Sequence, residues 1–200
     1  QNGGFTVPQG IISNAQSFLN NSFGTANSRL SDWQLNRQAF VLYALARSGS
    51  NGAGRLGALY ENRERLSYAA KSFLALAFWY TNPNDSSRSN TLLSDIASGA
   101  ILSATGAHWE ESTPDYWNWG SNTRTTALAL EAFTHLSPQS DLIPQIVRWL
   151  IMARKADAWE STQETAWAVM AAPNWMTVTG ELQPNYAFNV DLNGTSLSEG

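Results

Sequence analysis

Apolar residues recur at three- and four-residue spacing along most of the chain, the pattern of helices with one buried face. Eight helices follow from it. The first is predicted over about 8–22, with Ile11, Ile12, Ala15, Phe18 and Leu19 turned inward. A polar stretch from Gly24 to Ser31 then breaks the pattern. The second helix starts at Ser31 or Asp32 as N-cap and carries Leu35, Ala39, Leu42, Tyr43 and Leu45 before Gly49, Gly52 and Gly54 interrupt it. A short, more polar third helix is predicted over 56–65. The fourth starts near Ser67, carries Tyr68, Phe73, Leu74, Leu76 and Ala77, and stops at the breaker Asn82-Pro83-Asn84-Asp85. The fifth covers 87–98. A helix-poor stretch over 99–121 has a turn at Thr113-Pro114-Asp115 and room for a short rim hairpin. The sixth helix runs from Asn122 to before Pro138, and the seventh over 142–155 with Pro144 in its first turn. The eighth runs from Ser161 or Thr162 to before Pro173. After Pro184 the period changes to two: Tyr186, Phe188, Val190 and Leu192 alternate with Ala187, Asn189 and Asp191, and Asn193-Gly194 signals a hairpin.

A weak internal repeat organises these helices. Thr125-Thr126-Ala127-Leu128-Ala129-Leu130-Glu131-Ala132-Phe133 parallels Glu164-Thr165-Ala166-Trp167-Ala168-Val169-Met170-Ala171, and Gln38-Ala39-Phe40-Val41-Leu42-Tyr43-Ala44-Leu45 is a looser third copy. Helices apolar nearly all round must be buried, and the amphipathic helices between them must cover them. Inner and outer helices in alternation give a solenoid or an α/α toroid, with alanine letting the inner helices converge. An ordinary helical bundle is the alternative. The expected fold class is therefore all-α: an incomplete α/α toroid of helical hairpins, with a short β segment at the C-terminus starting the next domain. The expected boundary divides 1–181 from 182–200.

Composition narrows the chemistry. The 200 residues are 43% hydrophobic and 14% charged, which suits a packed core rather than disorder. A net charge of −4 gives no basic field, so nucleic acid is not expected as a partner. The absence of cysteine removes disulfides, thiolate metal sites and cysteine nucleophiles from these residues, without fixing the compartment. No apolar run is long enough to span a bilayer. The chain starts at Gln1 without methionine and stops at Gly200 within a hairpin, so both ends read as boundaries inside a longer protein. Nine tryptophans are many, and most are expected in the core.

His108 lies beside Trp109, Glu110 and Glu111. It reads as a rim histidine bonded to its loop, with a general base beside carboxylates as the alternative. His135, near a helix C-terminus, reads as a dipole partner or surface residue. The two histidines are too far apart for a metal motif. Glu110, Glu111 and Asp115 with Trp109, Tyr116, Trp117 and Trp119 combine carboxylates with stacking rings, as a glycan hydrolase would require. Glu164 is expected to cap its helix, and Arg63-Glu64-Arg65 to form a solvated face. No catalytic, cofactor or metal residue is assigned; His108, Trp109, Glu110, Trp117 and Trp119 are the candidates for a rim contact surface.

Three segments together carry a family resemblance. Trp159-Glu160-Ser161-Thr162-Gln163-Glu164-Thr165-Ala166 is similar to the signature near the end of the thioester domain of the bacterial α2-macroglobulin family. Ala107-His108-Trp109-Glu110 followed by Arg124-Thr125-Thr126-Ala127-Leu128-Ala129-Leu130 resembles its His-Trp-Glu stretch and next inner helix, and Arg37–Gly49 an earlier inner helix. The resemblance implies the later part of an α/α toroid in a large extracytoplasmic protease inhibitor, followed by a β domain. It implies proteases as partners through the full-length parent, and neighbouring β domains of the same chain. In that family a Cys-x-Glu-Gln thioester acylates the trapped protease. No such motif occurs in these residues, so it lies upstream or the parent lacks it. The alternatives are an (α/α)-toroid glycan hydrolase and a passive helical interaction module.

Overall fold

The computed structural model describes residues 6–50, 53–84, 86–180, 189–193 and 195–199. Its helices are α1 (Gln9–Ser22), α2 (Asp32–Arg47), α3 (Ala53–Tyr60), α4 (Tyr68–Thr81), α5 (Ser87–Ser98), α6 (Asn122–Leu136), α7 (Leu142–Met152) and α8 (Thr162–Thr179). Two antiparallel hairpins join them: β1 (Ile101–Ser103) with β2 (Gly106–His108), and β3 (Asn189–Leu192) with β4 (Thr195–Glu199). Short 3-10 turns cover Arg63–Arg65 and Tyr116–Asn118.

The even-numbered helices pack side by side, α2 on α4, α4 on α6 and α6 on α8. The odd-numbered ones cover them: α3 and α5 lie on α4, and α5 and α7 on α6. This is the alternation the repeat predicts. In α4 every residue from Ala69 to Ala77 is buried, and in α6 every residue from Arg124 to Thr134. Alanines at 39, 75, 77, 127, 129 and 132 are fully buried, which lets the inner helices approach closely. Lys71, the cation inside the α4 run, is held by Asp95 of α5 at 3.2 Å.

Each inner helix begins at a serine. Ser67, Ser121 and Ser161 accept the amide protons of Ala70, Arg124 and Glu164 at 3.1–3.2 Å. Ser31 donates its N–H and its hydroxyl to Gln34 Oε1, both at 2.9 Å. These contacts satisfy end groups that a helix leaves open, typically ~1 kcal/mol per cap. Glu164 completes a capping box by accepting the Ser161 N–H at 3.2 Å, the role expected of it. Geometry requires glycine at several turns, two of which bear on the inner and outer layers. Gly49 ends α2 at φ +79°, and Gly106 has φ +122° with its α-carbon so close to α7 that a Cβ would collide with the Gln145 carbonyl.

Five expectations are corrected. α1 has no buried residue, and Ile11 and Phe18 are exposed, because α1 packs only lightly on α2 and is otherwise held by polar contacts such as Arg55 of α3 to Asn20. The third helix is earlier, ending at Tyr60, and Arg63–Arg65 is a separate turn. α7 stops at Met152 rather than Lys155. α8 does not stop before Pro173 but continues through it to Thr179. Proline removes one helical hydrogen bond, to the Val169 carbonyl. Val169 is on the exposed side, where water can take that carbonyl. The tryptophans are also less buried than expected: Trp109 is the one fully buried, six are half-buried, and Trp117 and Trp119 are exposed. At the C-terminus the alternating segment forms β3 from Asn189; Tyr186, Ala187 and Phe188 lie outside the described residues.

Candidate functional site

The inner-helix repeat is also a repeat of contacts. The Trp109 N–H donates to Thr126 Oγ1, and the Trp159 N–H to Thr165 Oγ1, both at 3.2 Å. The two indoles then reach outward. Trp109 Nε1 donates to the Ile96 carbonyl of α5 at 2.7 Å, and Trp159 Nε1 to the Leu150 carbonyl of α7 at 3.0 Å. Each tryptophan therefore pins an outer helix to the inner helix that follows. Trp159 and Thr165 are six residues apart; Trp109 and Thr126 are seventeen apart. The longer connection holds the 110–121 loop, and that loop builds one wall of a cavity.

The cavity has a volume of about 460 Å³, inside the usual range for small-ligand sites. It opens where the inner helices start: Asn36 comes from α2, Ser67 and Ala70 from the head of α4, Arg124 and Thr125 from α6, and Gln163 and Trp167 from α8. The loop adds Glu111, Asp115, Trp117, Asn118, Trp119 and Gly120. Phe40 and Phe73 supply further apolar wall. Trp167 meets Phe73 edge-on at 5.2 Å, so two residues of the Trp159–Ala166 neighbourhood, Gln163 and Trp167, face this space.

Glu111 caps α4 across space. Its carboxylate accepts the N–H groups of Tyr68 and Ala69 and the Thr125 hydroxyl, each at 3.2 Å. A carboxylate at a helix N-terminus is favoured by the helix dipole. Burial nevertheless pushes the Glu111 pKa upward, against the lowering by those three hydrogen bonds, with the neighbouring Asp115 adding to the rise. Asp115 Oδ2 accepts from Asn36 Nδ2 at 2.8 Å and Asn118 Nδ2 at 2.7 Å. Its Oδ1 is buried without a hydrogen-bond partner among the described residues.

Arg124 is the unexpected member. It is 93% buried, with its guanidinium 5.5 Å from the centre of the Phe73 ring. Its Nε has no hydrogen-bond partner among the described residues, and no ion pair to Glu111 or Asp115 closes. Burial pushes its pKa down to about 10, while Asp115 and Glu111 pull it up. It stays a cation at neutral pH. Arg37, by contrast, is occupied: it donates to Asn118 Oδ1 and the Trp117 carbonyl and lies over Trp33.

The residues proposed from sequence divide. Trp117 and Trp119 are exposed at the cavity mouth, and Trp119 has the left-handed φ of +58°, an uncommon conformation for a bulky side chain. Trp117 stacks on Trp33 at 5.5 Å. Trp109 belongs to no contact surface: it is fully buried beneath α5 and α6. His108 stacks flat on Trp149 at 4.8 Å and meets Glu110 Oε1 at 3.3 Å, so it is bonded to its own loop. Neither His108 nor Glu110 lines the cavity. His135 meets Glu131 at 3.3 Å and packs on Trp79. Glu131 also accepts from Asn174 of α8 at 2.9 Å, joining two inner helices. Arg63 is not wholly solvated: it lies over Tyr60, and its Nε is buried. Among the described residues no three His, Cys, Asp or Glu side chains are grouped to hold a metal ion, and no helix is long and apolar enough to cross a membrane. Of the three carboxylates proposed for glycan hydrolysis, Glu111 has its oxygens committed to holding α4 and α6.

Known proteins share this fold. The chain superimposes on Escherichia coli alpha-2-macroglobulin activated by porcine elastase with a TM-score of 0.60, at 16% identity over 98% of this chain and 17% of that one. Native alpha-2-macroglobulin from Escherichia coli, in a structure from domain MG7 to the C-terminus, gives a TM-score of 0.57 at 17% identity, over 98% of this chain and 29% of that one. This chain thus spans less than a third of either. No protein-family model and no curated protein sequence matches it.

Proposed function

We propose that the chain is a scaffolding part of a bacterial α2-macroglobulin-like protease trap. Residues 1–181 would form the later part of its thioester-type toroid, and 182–200 the start of a following β domain. The observation that carries this reading is the shared fold over 98% of the chain, joined to the order of the three sequence segments. Their geometry agrees with a supporting role. The tryptophans and threonines pin helices, Glu164 and Glu111 cap them, and of the last segment and its neighbour Gln163 and Trp167 line the cavity. With no cysteine in these residues, covalent capture requires a thioester elsewhere in a longer chain. The fragment then acts as no enzyme. Its partners are proteases met through the whole molecule and adjoining β domains, in an extracytoplasmic setting.

The test is a conformational one. The longer protein should change sedimentation coefficient and native-gel mobility when a broad-specificity protease cuts its bait region. Cleavage that leaves both unchanged contradicts the trap reading. The glycan-hydrolase reading needs turnover that falls in Glu110→Gln, yet Glu110 stands away from the cavity, and this disfavours it.

A further inference from the structure

A buried cation with an unused hydrogen-bonding edge needs a reason. Leaving one unsatisfied normally costs ~1–3 kcal/mol, more for a charged group. Arg124 is in this condition at the wall of the cavity, and the two carboxylates nearest in charge do not pair with it. Glu111 is committed to the α4 amides, and Asp115 Oδ2 to two asparagines. Asp115 and Glu111 keep the guanidinium charged, and they also repel a second negative charge. A phosphate dianion is therefore disfavoured. A planar monoanion matches the fork of a guanidinium. Much of the apolar wall is aromatic, with Phe40, Phe73 and Trp167 lining it and the exposed Trp117 and Trp119 at the mouth. Such walls favour a flat apolar body.

We propose that this cavity binds an organic monocarboxylate with an aromatic body, its carboxylate on the Arg124 guanidinium and its ring against Phe73 and Trp167. Two sources carry that chemistry: a free aromatic acid, and the C-terminal carboxylate of a peptide ending in an aromatic residue. The proposal is independent of the protease-trap reading, since it concerns a reversible site within these 200 residues.

The experiment uses the 200-residue chain and four probes. These are 3-phenylpropionate, 3-phenylpropionamide, N-acetyl-Gly-Phe and its C-terminal amide, followed by thermal shift and isothermal titration. Either acid at a hundredfold excess over its Kd should raise Tm by about 5–10 °C, and its amide should bind at least about tenfold more weakly. Tighter binding of the peptide acid assigns the source to a chain terminus; equal or tighter binding of 3-phenylpropionate assigns it to a free acid. Arg124→Gln should abolish the difference between acid and amide, whereas Arg124→Lys should keep part of it. Equal affinity for acids and amides, or no binding of either acid at 10 mM, overturns the proposal without any variant being needed.

Discussion

Trp109 and Glu111 sit two residues apart and carry different parts of the energetics. Trp109 fills the space between α5 and α6 and satisfies the Ile96 carbonyl. Trp109→Ala should cost about 3–5 kcal/mol in urea denaturation, and Trp109→Phe less, since it keeps most of the volume and loses the hydrogen bond. Glu111 makes stability depend on pH. Its folded pKa is raised above the ordinary 4.5 by burial, so the folded state binds the proton more tightly than the unfolded chain. The stabilisation from this proton is complete below 4.5 and is lost as pH rises through the folded value. Wild type should therefore gain stability relative to Glu111→Gln as pH falls from 7 towards 4.5. A difference between the two that is flat across this window would contradict the assignment. Glu111, Asp115, Trp117 and Trp119 were recognisable from sequence as carboxylates among aromatic rings. Arg124 was not, because one arginine in an alanine-rich helix gives no sign that its fork has no partner. Trp109 misled for a related reason: adjacent loop residues share a neighbourhood in sequence, but the chain turns Trp109 inward and leaves Trp117 outside.

At the scale of elements, the Trp–Thr pins are the device that sets each outer helix against the next inner one. Thr126→Val and Thr165→Val each remove the acceptor of a tryptophan N–H. The expected cost is about 1–3 kcal/mol at Thr126, whose surroundings are fully buried, and smaller at Thr165, where water can reach the amide. Equal losses in chemical denaturation would argue that the two pins do not differ in burial. Ser161→Ala should cost about 1 kcal/mol by opening the α8 capping box. The inner helices α2, α4 and α6 were legible because burial on all sides imposes an apolar pattern and serine marks where each begins. α1 and the end of α8 were less so. An amphipathic stripe says which face is apolar but not whether a neighbour exists to cover it, and Phe18 stays exposed. Likewise Pro173 weakens a helix without ending it when the freed carbonyl faces water.

The described helices form an inner layer of α2, α4, α6 and α8 covered by outer ones, with the serine starts and the cavity at one end of that layer and Tyr43 of α2 meeting Trp167 of α8. Apolar side chains stay exposed at both ends of the helix order, Ile11 and Phe18 on α1 and Val169, Met170 and Val178 on α8. Exposed surface of this kind favours contact with further protein, in keeping with the proposed scaffolding role. Under the proposed function, these helices serve a longer chain that traps proteases. The most direct measurement follows one broad-specificity protease, incubated with the longer protein, on two substrates at once: a small chromogenic peptide and a large protein. A trap should lower digestion of the large protein severalfold while cleavage of the small peptide continues. Undiminished digestion of the large protein, or equal loss on both substrates, would contradict it.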